Sequence, residues 1–199
     1  MNYDTQMLSS SDEDIDKAAK LLREGGVVGI PTETVYGLAA DAQNSSAVSE
    51  IFKAKGRPQD NPLIVHIGEF SDIYKYVTEV PENALKLAEA FWPGPLTMVL
   101  PKKDIIPMTT SGGLDTVGIR FPVHPVAREI IRRSGCALAA PSANLSGSPS
   151  PTTAMHVYKD MNGRIPAIVD GGDCAVGVES TVVSFDSDGK VRLLRPGFV

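Results

Sequence analysis

Apolar residues first recur at helical spacing. Ile15, Ala18, Ala19 and Leu22 share one face, which predicts a helix from Ser11 to about Glu24. Ser11 followed by Asp14 is a helix-start arrangement, and Gly25-Gly26 supplies a left-handed stop. The period then changes. Val27-Val28-Gly29-Ile30 is an uninterrupted apolar run, as a strand buried on both faces requires. A second helix is predicted over 47–55, with Ser46 at its start and Val48, Ile51 and Phe52 inward. A strand follows at 63–67, apolar except for His66. A helix over 81–90 opens on Pro81 and turns Leu85 and Ala88 inward. Strands at 96–100 and 117–121 are separated by a Thr/Ser/Gly loop at 109–116. A helix at 125–133, a strand at 137–140, a Ser/Pro/Gly/Asn loop at 141–151, a short helix at 153–160 and a strand at 167–169 come next. Finally, 181–185 and 190–194 flank Asp186-Ser187-Asp188-Gly189, a strong hairpin signal. Strands alternating with helices, then a terminal hairpin, predict an α/β fold: a single domain with a twisted mixed parallel/antiparallel sheet flanked by helices. The chain shows no internal repeat or interdomain linker, so the domain is drawn over 11–199, with 1–10 as an N-terminal extension.

Composition narrows the class more than the function. The chain has 199 residues, of which 42% are hydrophobic, ample for one core. Its net charge of −5 gives no bulk attraction to nucleic acid or membranes. No apolar run approaches the ~18 residues that cross a bilayer, and the N-terminus lacks a signal pattern. The two cysteines, Cys136 and Cys174, make no disulfide framework. Cys136, beside Ala137-Leu138-Ala139-Ala140, reads as a small core residue. Three histidines and two cysteines, scattered along the chain, offer no metal-ligand spacing. A cytoplasmic protein is expected.

The chemistry is local. No Walker loop, nucleophile elbow, zincin or dinucleotide fingerprint is present. Polar groups gather instead at the ends of predicted elements. Thr32, Thr34 and Tyr36 follow the first strand, where hydroxyls can simply satisfy a turn. Lys53, Lys55 and Arg57 end a helix, where cations also suit the dipole, but Gly56 and Pro58 fix Arg57 in a rigid loop. His66 within an apolar strand is compatible with a core role. Arg120 in Val117-Gly118-Ile119-Arg120 is costly unless it is paired or binds an anion. The segments 140–147, 179–181 and 194–197 add small hydroxyl residues and Arg195, and such loops offer N–H groups to phosphates and carboxylates. Several cations at element ends on an acidic chain point to a polyphosphate site.

In order along the chain stand Pro31-Thr32-Glu33-Thr34-Val35-Tyr36-Gly37-Leu38, Lys53-Ala54-Lys55-Gly56-Arg57-Pro58, Asn61-Pro62-Leu63-Ile64-Val65-His66, Trp92-Pro93-Gly94-Pro95-Leu96-Thr97, Arg120-Phe121-Pro122, Pro141-Ser142-Ala143-Asn144, Ser180-Thr181-Val182 and Arg195-Pro196-Gly197. With these segments the chain resembles the YrdC-like threonylcarbamoyl-AMP synthases over 11–197. The resemblance implies a nucleotidyltransferase that condenses L-threonine, bicarbonate (or carbon dioxide) and ATP into threonylcarbamoyl-AMP, releasing pyrophosphate. Downstream machinery would transfer the threonylcarbamoyl group to the tRNA adenosine 3′ of the anticodon. A basic concave cavity, Mg²⁺ carried with the ATP phosphates and a weak contact with tRNA are also implied.

Carried over by residue, Lys53, Lys55 and Arg57 would hold the triphosphate as the catalytic cations, with Ser142, Asn144 and Arg195 around the nucleotide. Thr116 and Ser150 would be further nucleotide contacts. Thr32, His66, Arg120 and Ser180 would surround threonine, Arg120 pairing with its carboxylate. Neighbouring helical positions diverge by ~100°, so which of Lys53 and Lys55 points inward is open at this stage, and no general base stands out. Longer relatives continue beyond Arg-Pro-Gly into a linker and second domain, so the resemblance implies either a short form or part of a longer protein. Two other readings compete. An RNA-binding module would have a basic concave face, but aromatic content is 6% without Lys/Arg–aromatic interleaving. The related domain of hydrogenase-maturation carbamoyltransferases would carry upstream acylphosphatase-like and zinc-finger segments, which are absent from this sequence.

Overall fold

Helix starts and stops follow local chemistry. In the structure, a computed structural model describing residues 2–199, the first helix (α1, Asp12–Arg23) begins where the Ser11 hydroxyl accepts from the Asp14 N–H at 3.3 Å. It buries Ile15, Ala18, Ala19 and Leu22 as its spacing requires. The second (α2, Ser45–Lys55) is capped by Asn44 rather than Ser46. The Asn44 Oδ1 accepts from Ser46 N and Ala47 N, both at 3.1 Å, so one side chain satisfies two of the helix's first N–H groups. Gly56 ends α2 with φ +62°, a left-handed turn that suits glycine.

The remaining helices are α3 (Ile73–Tyr76), reached through a 3₁₀ turn at Phe70–Asp72, α4 (Glu82–Phe91), α5 (Met108–Ser111), α6 (Pro125–Ser134) and α7 (Ala154–Met161). The strands are β1 (Gln6–Leu8), β2 (Val28–Ile30), β3 (Gly37–Asp41), β4 (Ile64–His66), β5 (Leu96–Pro101), β6 (Thr116–Arg120), β7 (Leu138–Ala139), β8 (Ala167–Val169), β9 (Thr181–Phe185) and β10 (Val191–Arg195). Among the described residues they form one mixed sheet in the order β1-β8-β2-β3-β7-β4-β6-β5-β9-β10. Pairs β1–β8, β2–β8, β4–β6 and β5–β9 are parallel and the others antiparallel.

Strand alternation sorts the core onto two faces. In β3, Leu38 and Ala40 join the cluster containing Val48, Ile51 and Phe52 of α2, while Ala39 joins that of Leu22 in α1 and Ile130 in α6.

Three further expectations change. Residues 6–8, placed in an extension outside the domain, form the sheet's edge strand on β8, because the backbone groups of 167–169 offer them a parallel ladder. The inward residues of α4 are Ala84 and Ala88, and Leu85 is 38% exposed. Small residues at i and i+4 let the helix approach the core, and Leu85 is left at the rim of a groove with Phe70 and Trp92. The loop 109–116 holds the one-turn helix α5, which starts at Pro107 and stops at Gly112 with φ +61°.

Candidate functional site

The sheet register builds the centre of the site. His66 of β4 lies opposite Arg120 of β6, which lies opposite Thr97 of β5, and residues in register across strands point to the same face. Thr97 Oγ1 shares a hydrogen bond with Ser180 Oγ at 2.9 Å, which extends this polar row to the start of β9. His66 is buried, and its Nδ1 donates to the Ile64 carbonyl at 3.2 Å. Burial, and secondarily the Arg120 cation, push its pKa down to about 3, so the imidazole is neutral.

A second group comes from the end of α2. Positions 53 and 55 are about 200° apart on a helix, so only one can face the sheet. It is Lys55, 3% exposed. Its ammonium donates to the Ser142 and Asn144 carbonyls, the latter at 2.7 Å, and reaches Asn144 Oδ1 at 3.5 Å. The Lys55 carbonyl in turn accepts from Ser146 N at 3.0 Å. Lys55 therefore ties α2 to the 142–146 loop. Burial first, then the neighbouring Arg57 cation, lower its pKa to about 8. Lys53 does not join the site: it is 67% exposed and pairs with Glu50 at 2.5 Å. Arg57, held by the Gly56 turn through its N–H to the Phe52 carbonyl at 3.0 Å, lines the cavity.

Two acids complete the electrostatics. Arg120 Nη2 donates to Glu33 Oε1 at 2.6 Å in a pair whose side chains are 5% and 8% exposed. Arg195 Nη1 meets Glu179 Oε2 at 2.8 Å, its Nη2 donates to the Ser180 carbonyl at 2.8 Å, and Ser150 Oγ donates to the other oxygen of Glu179 at 3.1 Å. Neither acid stands among the residues that the sequence reading placed in the site. A signal was available: an arginine buried as Arg120 is must be paired, and each acid sits beside a site hydroxyl, in Thr-Glu-Thr and Glu-Ser-Thr.

These elements enclose a cavity of about 170 Å³ lined by Arg57, His66, Arg120, Ser142, Ser180 and Arg195, together with Thr34 and Glu179. Its wall at Pro62, Leu63 and Ile64 is shared with a more apolar depression of about 270 Å³ that includes Thr116, Gly118, Val182 and Leu194. Six of the expected residues thus converge, and Thr116 lines the adjoining space. Thr32 instead spends its hydroxyl within its own turn, donating to the Val35 carbonyl at 2.6 Å and accepting from Thr34 N at 3.2 Å. Asn144 is turned into its loop, donating to the Leu145 and Ser148 carbonyls at 2.8 and 2.7 Å. Ser150 reaches the cavity only through Glu179. Tyr36 is a structural strut whose hydroxyl donates to the Gly172 carbonyl at 2.7 Å. Among the described residues no cluster of His, Cys, Asp or Glu could hold a metal ion, and no helix is long and apolar enough to cross a membrane.

Residues 20–197 match the Sua5/YciO/YrdC family profile, described as "Telomere recombination". A threonylcarbamoyl-AMP synthase of Bacillus subtilis is 56% identical over 97% of this chain and 56% of its own length. One of Pyrococcus abyssi is 54% identical over 90% of this chain and 53% of its own. The crystal structure of P. abyssi Sua5 complexed with L-threonine superimposes with a TM-score of 0.94 at 50% identity, covering 97% of this chain and 58% of that one. The chain spans about half the length of the curated relatives it matches.

Proposed function

Since the chain belongs to the Sua5/YciO/YrdC family, we propose that it condenses L-threonine, bicarbonate and ATP into threonylcarbamoyl-AMP, with loss of pyrophosphate and water. One observation carries this reading. Arg57, Arg120 and Arg195 reach a single cavity from three separate segments, and a cavity of about 170 Å³ suits an amino acid rather than a polynucleotide. The relatives carry the threonylcarbamoyl-AMP synthase name, and P. abyssi Sua5 has been crystallised with L-threonine.

In this reading Arg120 receives the threonine carboxylate and the neutral His66 packs beside the substrate. The adjoining apolar depression takes the adenosine, with Thr116 at its edge, which puts the α-phosphate near the shared Pro62–Ile64 wall. The carbamate oxygen attacks the α-phosphorus, and negative charge grows on the phosphoryl oxygens. Arg57 and Arg195 are the donors there, Arg195 held in place by Glu179 and the Ser180 carbonyl, and preorganised donors lower such barriers more than mobile ones. Mg²⁺ enters as part of the MgATP substrate. Lys55 acts by holding the 142–146 loop, and Lys53 has no part in the chemistry. The product would pass, in the cytoplasm, to machinery that transfers the threonylcarbamoyl group to tRNA.

The test is pyrophosphate release from MgATP with threonine and bicarbonate each present or omitted. Release that requires both is expected, and release indifferent to threonine would sink the proposal. The pH profile should carry a mark of Lys55. Its folded pKa of about 8 lies below the ~10.4 of an unfolded lysine. Charge on Lys55 therefore costs stability below pH 8, and the cost fades as pH rises from about 8 to 10.4. Activity should move the opposite way, because the neutral amine has one donor fewer for three acceptors. An alkaline limb near pH 8 is expected. It should shift to lower pH in Asp160→Asn, since Asp160 favours the charged form; a limb indifferent to that change would exclude Lys55 as its source.

A further inference from the structure

The Glu33–Arg120 pair is built from one side only. Arg120 Nη2 is bound at 2.6 Å, while Glu33 Oε2 and Arg120 Nε are both buried without a partner. An acid placed merely to neutralise a core arginine would be expected to meet it with both oxygens, the stronger bidentate geometry. Here it makes a single contact and leaves Nη1 without a protein partner among the described residues, on a guanidinium that lines the cavity.

Glu33 is itself held rigidly. Its turn is closed by the Thr32 hydroxyl and clamped from outside, where Val176 N donates to the Glu33 carbonyl at 2.9 Å and Gly177 N to the Thr34 carbonyl at 3.0 Å. An arginine side chain on a strand has rotamer entropy to lose on ordering, and a fixed carboxylate holding one nitrogen removes much of that loss in advance.

We infer that Glu33 is the positioning residue for amino-acid recognition: it presents Arg120 to the substrate carboxylate without touching the substrate itself. This rests on the reading of the cavity as a threonine site. Glu33→Asp keeps the charge, so Arg120 stays compensated, but shortens the reach by one methylene. A displacement of that size at a recognition group can cost up to about 10²-fold. The expected result is a threonine KM raised roughly tenfold or more, with kcat within about threefold, the ATP KM unchanged and the melting temperature near that of the wild type. A purely neutralising role predicts no change in threonine KM, so a value within twofold of wild type, or a loss of kcat at constant KM, would overturn the inference.

A second readout needs no turnover. In ligand-free protein the Arg120 Nε–Hε NMR order parameter should fall in E33D and recover at saturating threonine; equal order in both proteins would also overturn it. If the wild type releases no pyrophosphate, the enzymatic reading fails, while the ligand-free comparison still decides whether Glu33 sets Arg120.

Discussion

Replacing Arg57 by alanine should lower pyrophosphate release by about 10²–10³-fold, the range for losing one preorganised donor to a developing oxyanion, and leave the melting temperature within a degree or two. The reason is where Arg57 stands. It follows α2 after the left-handed Gly56 and lines the cavity. Its guanidinium has no hydrogen-bond or ion-pair partner among the described residues, so nothing in the fold is orphaned when it is removed. Arg120 and Arg195 each belong to an ion pair with an acid. Arg57 is the cavity arginine whose donors are uncommitted, which makes it the strongest candidate to meet a phosphate. Full activity in Arg57→Ala, measured at saturating MgATP, threonine and bicarbonate, would refute that role.

Lys55→Met should behave differently, with activity and stability lost together. Methionine fills much of the same space, but the Ser142 and Asn144 carbonyls lose their donor. An unpaired buried polar group costs about 1–3 kcal/mol. Removing a desolvated charge offsets part of that, so a net loss of roughly 1–3 kcal/mol in urea unfolding is expected. Activity should drop about 10²-fold as the 142–146 loop loosens. The pair of variants separates a ligand-facing cation from a scaffold cation two positions away in the chain. Unchanged stability in Lys55→Met would mean that the ammonium is not the tie between α2 and that loop.

Much of the architecture was legible. The stripe of α1 and the terminal hairpin declare themselves by period or turn chemistry. The strands β1 and β3 do not. Three residues are too few to show alternation, and Gly37-Leu38-Ala39-Ala40 carries small side chains with little strand preference, so its state is set by β2 and β7 on either side. In the site, Arg120 was legible because a cation is expensive to place inside a protein, and Arg57 because Gly56 and Pro58 hold it in a rigid loop. The acids were not, because Glu33 and Glu179 read as ordinary turn residues until the fold brings them to Arg120 and Arg195. Thr32 and Asn144 show the converse: a hydroxyl and an amide in a site motif can be spent entirely on holding their own loops.

Arg195 also sits on β10, which is paired only with β9 at the edge of the sheet and whose residues are largely exposed. One wall of the cavity is therefore carried by a largely exposed edge strand, and such edges open at lower free energy than central strands. Fraying of that one ribbon would dismantle the Glu179–Arg195 side while β4 and β6 keep His66 and Arg120 in place. The two sides of the cavity thus rest on strands of unequal support, Glu179–Arg195 at the sheet's edge and His66–Arg120 on strands paired on both sides.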